Sequence, residues 1–600
     1  MLHPHLGPRI YEGAKGVSAK SNGAINYNLK RRYIMLNDLT TVQGEKLSGT
    51  PWDVYPRPLM RRESYVNLNG KWDFAVSKAE TLPKSYDKKI LVPFSPESAL
   101  SGLKMAIEPG SYLFYRRTLP HLEDLQGKRV LLHVGAADQV AQVYVNRFPV
   151  DYHEGGYTNF TVDITDRLKE ENELVIRVYD DLKDRAMPYG KQSLNRGGMW
   201  YTPVSGIWQT VWLEVVPETR IESIQIENKT IDTVCIRVRP QQEGTVTVVG
   251  VGQFPLINGK LLLKLEKSRL WTPEDPHLYY FTIQTATDQV RSYFALRTIE
   301  ADTVDGKPRL LLNGKPYFFH GLLDQGYWPD GIYTPASPEC YAEDILAMKK
   351  LGFNTLRKHI KVEPEEFYYQ CDKLGMVVFQ DLVNNGEYKF FRDTIMPTLG
   401  RQKRNDKKMN TDERSRQLFR RLMVETVRQL QSHPCILYWT VFNEGWGQFD
   451  SDEAYGLMCE LDVDRIIDTT SGWFRRKESD VDSLHIYFGP WCKLRKGKRP
   501  LVLSEFGGYA YPVEGHIFNP EKAYGYKSCK SLEDFQTAIE KLYRKKILPR
   551  VKKGLCAAII TQVSDVEDEI NGFLTYDRKV CKADEKVMQQ LAQDLQKAME

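Results

Sequence analysis

Between residues 65 and 217 the chain alternates short apolar runs with Gly, Pro, Asn and Asp: GKWDFAV, SYLFYRRTL, RVLLHVG, QVAQVYVN, NELVIRVYD and QTVWLEVV. Runs of this length, cut by turn formers, predict half-buried strands. Their spacing predicts a jelly-roll β-sandwich over residues 46–219. A second set, SIQIEN, TVCIRVRP, GTVTVVGV, KLLLKLE and YYFTIQTA, predicts a smaller immunoglobulin-like sandwich over residues 220–300. Neither part carries a helix of ordinary length. Near Pro316 the pattern changes to eight apolar runs: YFFHGL, FNTLRK, MVVFQD, ILYWTVFN, VDRIIDT, SLHIYF, PLVLSEF and CAAIITQV. Between several of them lie segments such as ECYAEDILAMKKLG and TDERSRQLFRRLMVETVRQLQSH, whose apolar positions recur at three and four. Buried strands alternating with helices predict a (β/α)8 TIM barrel over residues 301–600, closed by a last helix between Lys582 and Met599. The polar, basic stretch between Asn384 and Asp412 is too long for an ordinary connection and reads as an active-site loop, a lid or a mobile insertion.

Length agrees with this division, since 600 residues exceed what one ordinary core organises. A net charge of +5 is too small for a dedicated nucleic-acid binder. No run is long and apolar enough to span a bilayer, so neither nucleic acid nor membrane is an expected partner. Nine cysteines, none before Cys235 and none in a CxxC pair, suggest a reducing compartment without zinc. With no secretion signal in MLHPHLGPRIYEGAKG, the expected setting is cytoplasmic. Residues 1–45 read as a tail, polar and without period up to Ile34, with Met35 as an alternative start.

In such barrels the reacting groups stand at the C-terminal ends of strands. That rule selects Glu444, after the fourth run in YWTVFNEGWGQ, and Glu505, at the end of the seventh in PLVLSEFGG. Two carboxylates across one cleft suit glycoside hydrolysis, one protonated to assist the leaving oxygen and one ionised to attack the anomeric carbon. The same rule places Asp324 and Gln325 after the first run, where they could hold sugar hydroxyls. Trp446 and Trp473, after the fourth and fifth, offer stacking faces.

The stretches NLNGKWDF, VPFSPESALSG, VGAADQVAQVYVNRFPVDYHEGGYTNFTVDIT, YTPVSGIWQTVWLE, LWTPEDPHLYYFTI, LLLNGKPYFFHG, GFNTLRKHI, HPCILYWTVFNEGW and LVLSEFGG occur in order. Through them the chain resembles glycoside hydrolase family 2, the family of β-galactosidases, β-glucuronidases and β-mannosidases. The resemblance implies a retaining exo-β-glycosidase, with Glu444 as acid/base, Glu505 as nucleophile and Asn443 bonding the sugar 2-hydroxyl. It implies that Arg357 or Tyr487 keeps Glu505 ionised. Glu444 would be raised in pKa by its surroundings and its negative neighbour. Arg357 and His359 match the family's Arg-x-x-His region only approximately, with Lys358 alone between them. His359 is a sugar contact or a buried structural residue, and His485 and Tyr487 close the sixth strand.

The chain also departs from its better-known relatives. Where family glucuronidases carry an Asn-x-Lys element, this sequence places Glu569, Ile570 and Asn571, which argues against glucuronide binding by that route. The family's strand-eight tryptophan is replaced by Thr561 and Gln562, leaving Gln562 as a polar pocket wall. Ligands for the Mg²⁺ and Na⁺ of the large β-galactosidases have no counterpart, so no metal or other cofactor is expected. Basic clusters from Arg401 and Lys493 could attract an acidic sugar or be solvated surface. The function expected first is β-galactosidase-like. The rivals are an exo-β-uronidase using those basic loops and a non-catalytic carbohydrate-binding protein. The expected partner is an oligosaccharide or glycoconjugate, with self-association into a homo-oligomer left open.

Overall fold

The structure, a computed structural model, describes residues 38–398, 405–474, 476–488, 491 and 497–599. Most of the expected tail, the alternative start at Met35, and residues 401–404 and 493–496 of the two basic clusters lie outside the described residues.

The first part is a sandwich of a four-stranded sheet (Tyr65–Asn67, Val211–Pro217, Lys128–Val134, Phe160–Asp163) and a six-stranded sheet in the order Lys88–Val92, Gly70–Ser77, Ser111–Thr118, Glu173–Asp180, Val140–Val145, Phe148–Glu154. Inward residues such as Trp72, Tyr115, Leu132, Ile176 and Leu213 fill the space between the sheets. A three-stranded and a four-stranded sheet follow, packed around Ile236, Val246, Ile283 and Tyr293. The runs predicted as strands in both parts are strands; Val140–Val145 and Lys260–Lys264 alternate a buried with a more exposed face, whereas Lys128–Val134 is buried over its last five residues.

The first part also buries three neighbouring acids, Glu97, Asp138 and Asp180, the last of them ending a strand of the six-stranded sheet. Burial pushes Glu97 up to about 8 and Asp138 up to about 7, and raises Asp180 well above its usual range. The folded state therefore holds protons that the unfolded chain releases above about pH 4, so this cluster's contribution falls as pH rises toward 8. Glu97→Gln should flatten that decline. Its melting temperature is expected to match wild type near about pH 5 and to exceed it near about pH 8 by roughly 2–4 °C per kcal/mol relieved. An unchanged slope in thermal melts at the two pH values would exclude Glu97 as the source.

Eight parallel strands build the barrel: β1 (Phe319–Asp324), β2 (Thr355–Lys358), β3 (Val377–Asp381), β4 (Ile436–Asn443), β5 (Ile466–Ser471), β6 (Asp482–Ile486), β7 (Leu501–Gly507) and β8 (Leu555–Thr561). These are the eight runs expected from the sequence, and nearly every residue in them is buried, as strands covered on both faces require. Long helices alternate with several of them, including α1 (Glu339–Lys350), α2 (Glu365–Leu374) and α3 (Glu413–Leu430). A helix at Glu585–Lys597, capped by Asp584, ends the barrel. Hydrogen-bonded order runs β5-β4-β3-β2-β1-β8-β7-β6. Among the described residues the β5–β6 seam is bridged by the intervening segment: Ile467 N donates to Asp480 Oδ2 at 2.7 Å and Asp480 N to Ile467 O at 3.0 Å. Among the described residues no helix is long and apolar enough to cross a membrane.

Candidate active site

Strands β2 to β7 deliver side chains to one mouth, and Arg357, next to last in β2, ties them together. Its guanidinium pairs with both oxygens of Asp381 on β3 at 2.9 Å. It also donates to Glu505 Oε1 at 3.0 Å, to Asn443 Oδ1 at 2.9 Å and to Ser471 Oγ at 3.0 Å. Burial works against this charge, but Asp381 and Glu505 outweigh it and hold Arg357 protonated.

Glu505 is almost fully buried and accepts from Tyr487 Oη at 2.8 Å as well as from Arg357. Arg357 and Tyr487 thus both donate to Glu505. They offset rather than reverse burial, which raises the Glu505 pKa with Glu444 adding to the effect and His485 opposing it. Glu444 follows β4 with φ +52°, a left-handed conformation that non-glycine residues seldom adopt and that turns its carboxyl into the mouth. Burial pushes Glu444 up to about 7, against the pull of Lys191 and Arg357. The negative neighbour adding to that rise is Asp393, from the long segment after β3, in place of the expected Glu505.

His485 sits between the two carboxylates. Its Nδ1 lies 2.7 Å from Glu444 Oε1 and 3.5 Å from Glu505 Oε2, while Nε2 faces Arg357 Nη1 at 3.3 Å. Burial pushes the imidazole down to about 3, so it is neutral and carries one hydrogen. Because Arg357 can only donate, this network assigns the hydrogen to Nδ1, which donates to Glu444 Oε1. The acidic proton of Glu444 therefore belongs on its other oxygen. Glu444, His485 and Glu505 bring their nearest ligand atoms within 4.8 Å of one another. That grouping has the shape of a metal site, but Arg357 already supplies the cation and Glu505 already accepts on both oxygens.

The remaining expected residues differ in their engagement. Asn443 leaves its buried Nδ2 without a hydrogen-bond partner, a donor free for a ligand. His359 Nδ1 donates to Gln325 Oε1 (2.9 Å), and its Nε2 stands 3.7 Å from Glu505 Oε1. Asp324 is committed to Lys358 Nζ at 2.6 Å and to Gly326 N at 2.9 Å, which leaves it little capacity for sugar hydroxyls. Trp446 is buried, stacked on Trp200 at 5.3 Å with Tyr388 edge-on, so one of its faces is taken by protein. Trp473 stands edge-on to His485 at 5.5 Å. Gln562 is buried beside β8 and donates to Asn571 Oδ1 at 2.8 Å. Gly472, at φ +92°, leaves room for this cluster, since a Cβ there would meet His485 Nδ1 at 3.2 Å and Glu444 Cγ at 3.4 Å.

Sequence reasoning missed the loop of residues 181–205, which leaves the first sandwich and crosses the barrel mouth. Tyr189 N donates to Asn384 O, Arg196 pairs with Glu567 and Asp568, and Tyr201 Oη bonds Glu569. This loop brings Lys191, Trp200 and Tyr201 to the site. Glu569, which also accepts from Asn571 Nδ2 at 2.8 Å, stands beside them.

Residues 304–596 match the family model described as glycosyl hydrolases family 2, TIM barrel domain. A β-galactosidase of Thermoanaerobacter pseudethanolicus is 24% identical over 450 residues, covering 67% of this chain and 55% of that protein. A β-glucuronidase of Bacteroides fragilis is 24% identical over 420 residues, covering 63% and 56%. The chain thus spans about half the length of these curated relatives. Among solved structures, a β-glucuronidase from an uncultured Clostridium superposes with a TM-score of 0.70 at 19% identity, covering 91% of this chain and 99% of that one. By this match, residues 304–596 form a family 2 glycosyl hydrolase TIM barrel domain, and the β-galactosidase and β-glucuronidase relatives carry the likeness beyond it.

Proposed function

We propose that the chain is a retaining exo-β-glycosidase that removes a terminal β-linked sugar, β-galactosidase-like in preferring a neutral glycone. The observation that carries this reading is the approach of the Glu444 and Glu505 carboxyl oxygens to within 4.8 Å. Retention calls for carboxyl groups ~5–5.5 Å apart, whereas inversion needs ~6.5–9.5 Å to admit a water. In the first step Glu505 attacks the anomeric carbon while Glu444 gives its proton to the departing oxygen. In the second, Glu444 takes a proton from the water that displaces Glu505. Asn443 Nδ2 is free to bond the 2-hydroxyl. The proposal includes a reducing, cytoplasmic setting, which suits the free thiols of the eight described cysteines.

A panel of nitrophenyl β-glycosides (galactoside, glucoside, glucuronide, galacturonide, mannoside, fucoside) tests the activity, with NMR of the first product formed. The expected result is hydrolysis with the β-anomer appearing before mutarotation. An α-anomer appearing first would overturn retention, and inertness toward the whole panel would bring forward the binding-protein alternative.

A further inference from the structure

Lys191 is 6% exposed, yet among the described residues it forms no ion pair and donates no side-chain hydrogen bond. Its ammonium lies 4.9 Å from the ring centre of Trp446 and 5.9 Å from that of Trp200, next to the residue that follows Glu444 by two positions. Its charged neighbours are Glu569, Glu505 and Glu444, with Arg357 behind them, and burial lowers its pKa against the pull of these carboxylates. A desolvated cation with three unused donors is a costly arrangement unless a ligand completes it. The two aromatic faces hold it in place without using those donors.

Resting on the reading above, we propose that Lys191, supplied by the sandwich rather than the barrel, is a specificity residue that donates to a hydroxyl of a neutral terminal sugar. The charge inventory decides between a hydroxyl and a carboxylate. With Glu444 protonated, Lys191 meets the carboxylates of Glu505 and Glu569 against Arg357 alone, so its surroundings are already negative. A uronate would add another beside Glu569, whereas a hydroxyl accepts from the ammonium and adds none. Tyr201 ties this donor to its neighbour: its N bonds Lys191 O at 3.0 Å, and its side chain holds Glu569.

The test compares wild type and Lys191→Met on matched galactoside/galacturonide and glucoside/glucuronide pairs and on deoxy analogues of the preferred glycoside. Wild type should favour the neutral member of each pair. Lys191→Met should lower kcat/KM on that substrate by about 10–150-fold, as loss of a hydrogen bond to a charged group implies. That loss should vanish for the single deoxy analogue lacking the contacted hydroxyl. An equal loss on every deoxy analogue would leave Lys191 a merely structural role and overturn the proposal. So would a wild-type preference for uronides that Lys191→Met abolishes. Calorimetric binding of galactose and galacturonic acid to both proteins separates this from failure of the glycosidase reading, since binding needs no turnover. Tighter galacturonic acid binding lost in the variant, or no binding of either sugar, would overturn the proposal; galactose binding weakened in the variant supports it.

Discussion

Glu505→Gly is expected to lower kcat by roughly 10⁴–10⁶-fold, the scale on which removing a covalent nucleophile acts. The loss should be chemical rather than structural. Arg357 keeps its two bonds to Asp381 and its bond to Ser504 O, and Tyr487 keeps Thr561 Oγ1 at 2.6 Å, so the surrounding network retains partners. Azide is small enough to enter the space vacated by the carboxylate. There it would attack the anomeric carbon, forming a C–N bond as the nitrophenolate leaves. One displacement from that face inverts the centre, so a β-glycoside should give the α-glycosyl azide, identified by NMR. A β-azide would place the nucleophile on the other face and so remove Glu505 from the role; restoration without azide would do the same.

The parts of this site that were legible in the sequence share one property: they sit where a buried strand ends. Glu444, Glu505, Arg357, Tyr487 and Asp324 follow apolar runs whose period and length identify them locally, and parallel pairing then brings strand ends together whatever their separation in sequence. Asp381 obeys the same rule at the end of MVVFQD and was passed over, because its importance lies in pairing with Arg357 rather than in facing a substrate. Lys191 and Trp200 could not be found this way. PYGKQSLNRGGMWYTP reads as a glycine-rich connection between sandwich strands, and only docking of that connection against the loops after β3 and β8 brings it to the mouth. A lysine and a tryptophan in an unusually long loop were the available signal. The β5–β6 seam was equally hidden, since Asp480 bridges it through a side chain and no periodicity records such a contact. Asp324 shows the converse limit. Its height on the barrel was legible, but its commitment to Lys358 depends on a side chain whose direction the pattern does not give.

Glu444→Gln is expected to separate substrates by leaving group. For alkyl glycosides or disaccharides, whose departing oxygen needs a proton, kcat/KM should fall by about 10²–10⁴-fold. For dinitrophenyl glycosides, whose leaving group departs as a stable anion, the first step should be nearly unaffected and hydrolysis of the glycosyl-enzyme should become limiting. The pH profile carries the sign. Wild type needs Glu444 protonated in the free enzyme, and with that group near 7 its kcat/KM should decline as pH rises above about 7. The variant, with no proton to lose there, should show no such decline. A limb that persists in Glu444→Gln would mean that another group supplies the proton. His485 is poorly suited to be that group: burial keeps it neutral, and its single hydrogen is directed at Glu444 Oε1 rather than at the place of the leaving oxygen. Loss of the limb together with the leaving-group split therefore assigns the acid to Glu444 and leaves His485 the task of fixing which of the two carboxyl oxygens carries the proton.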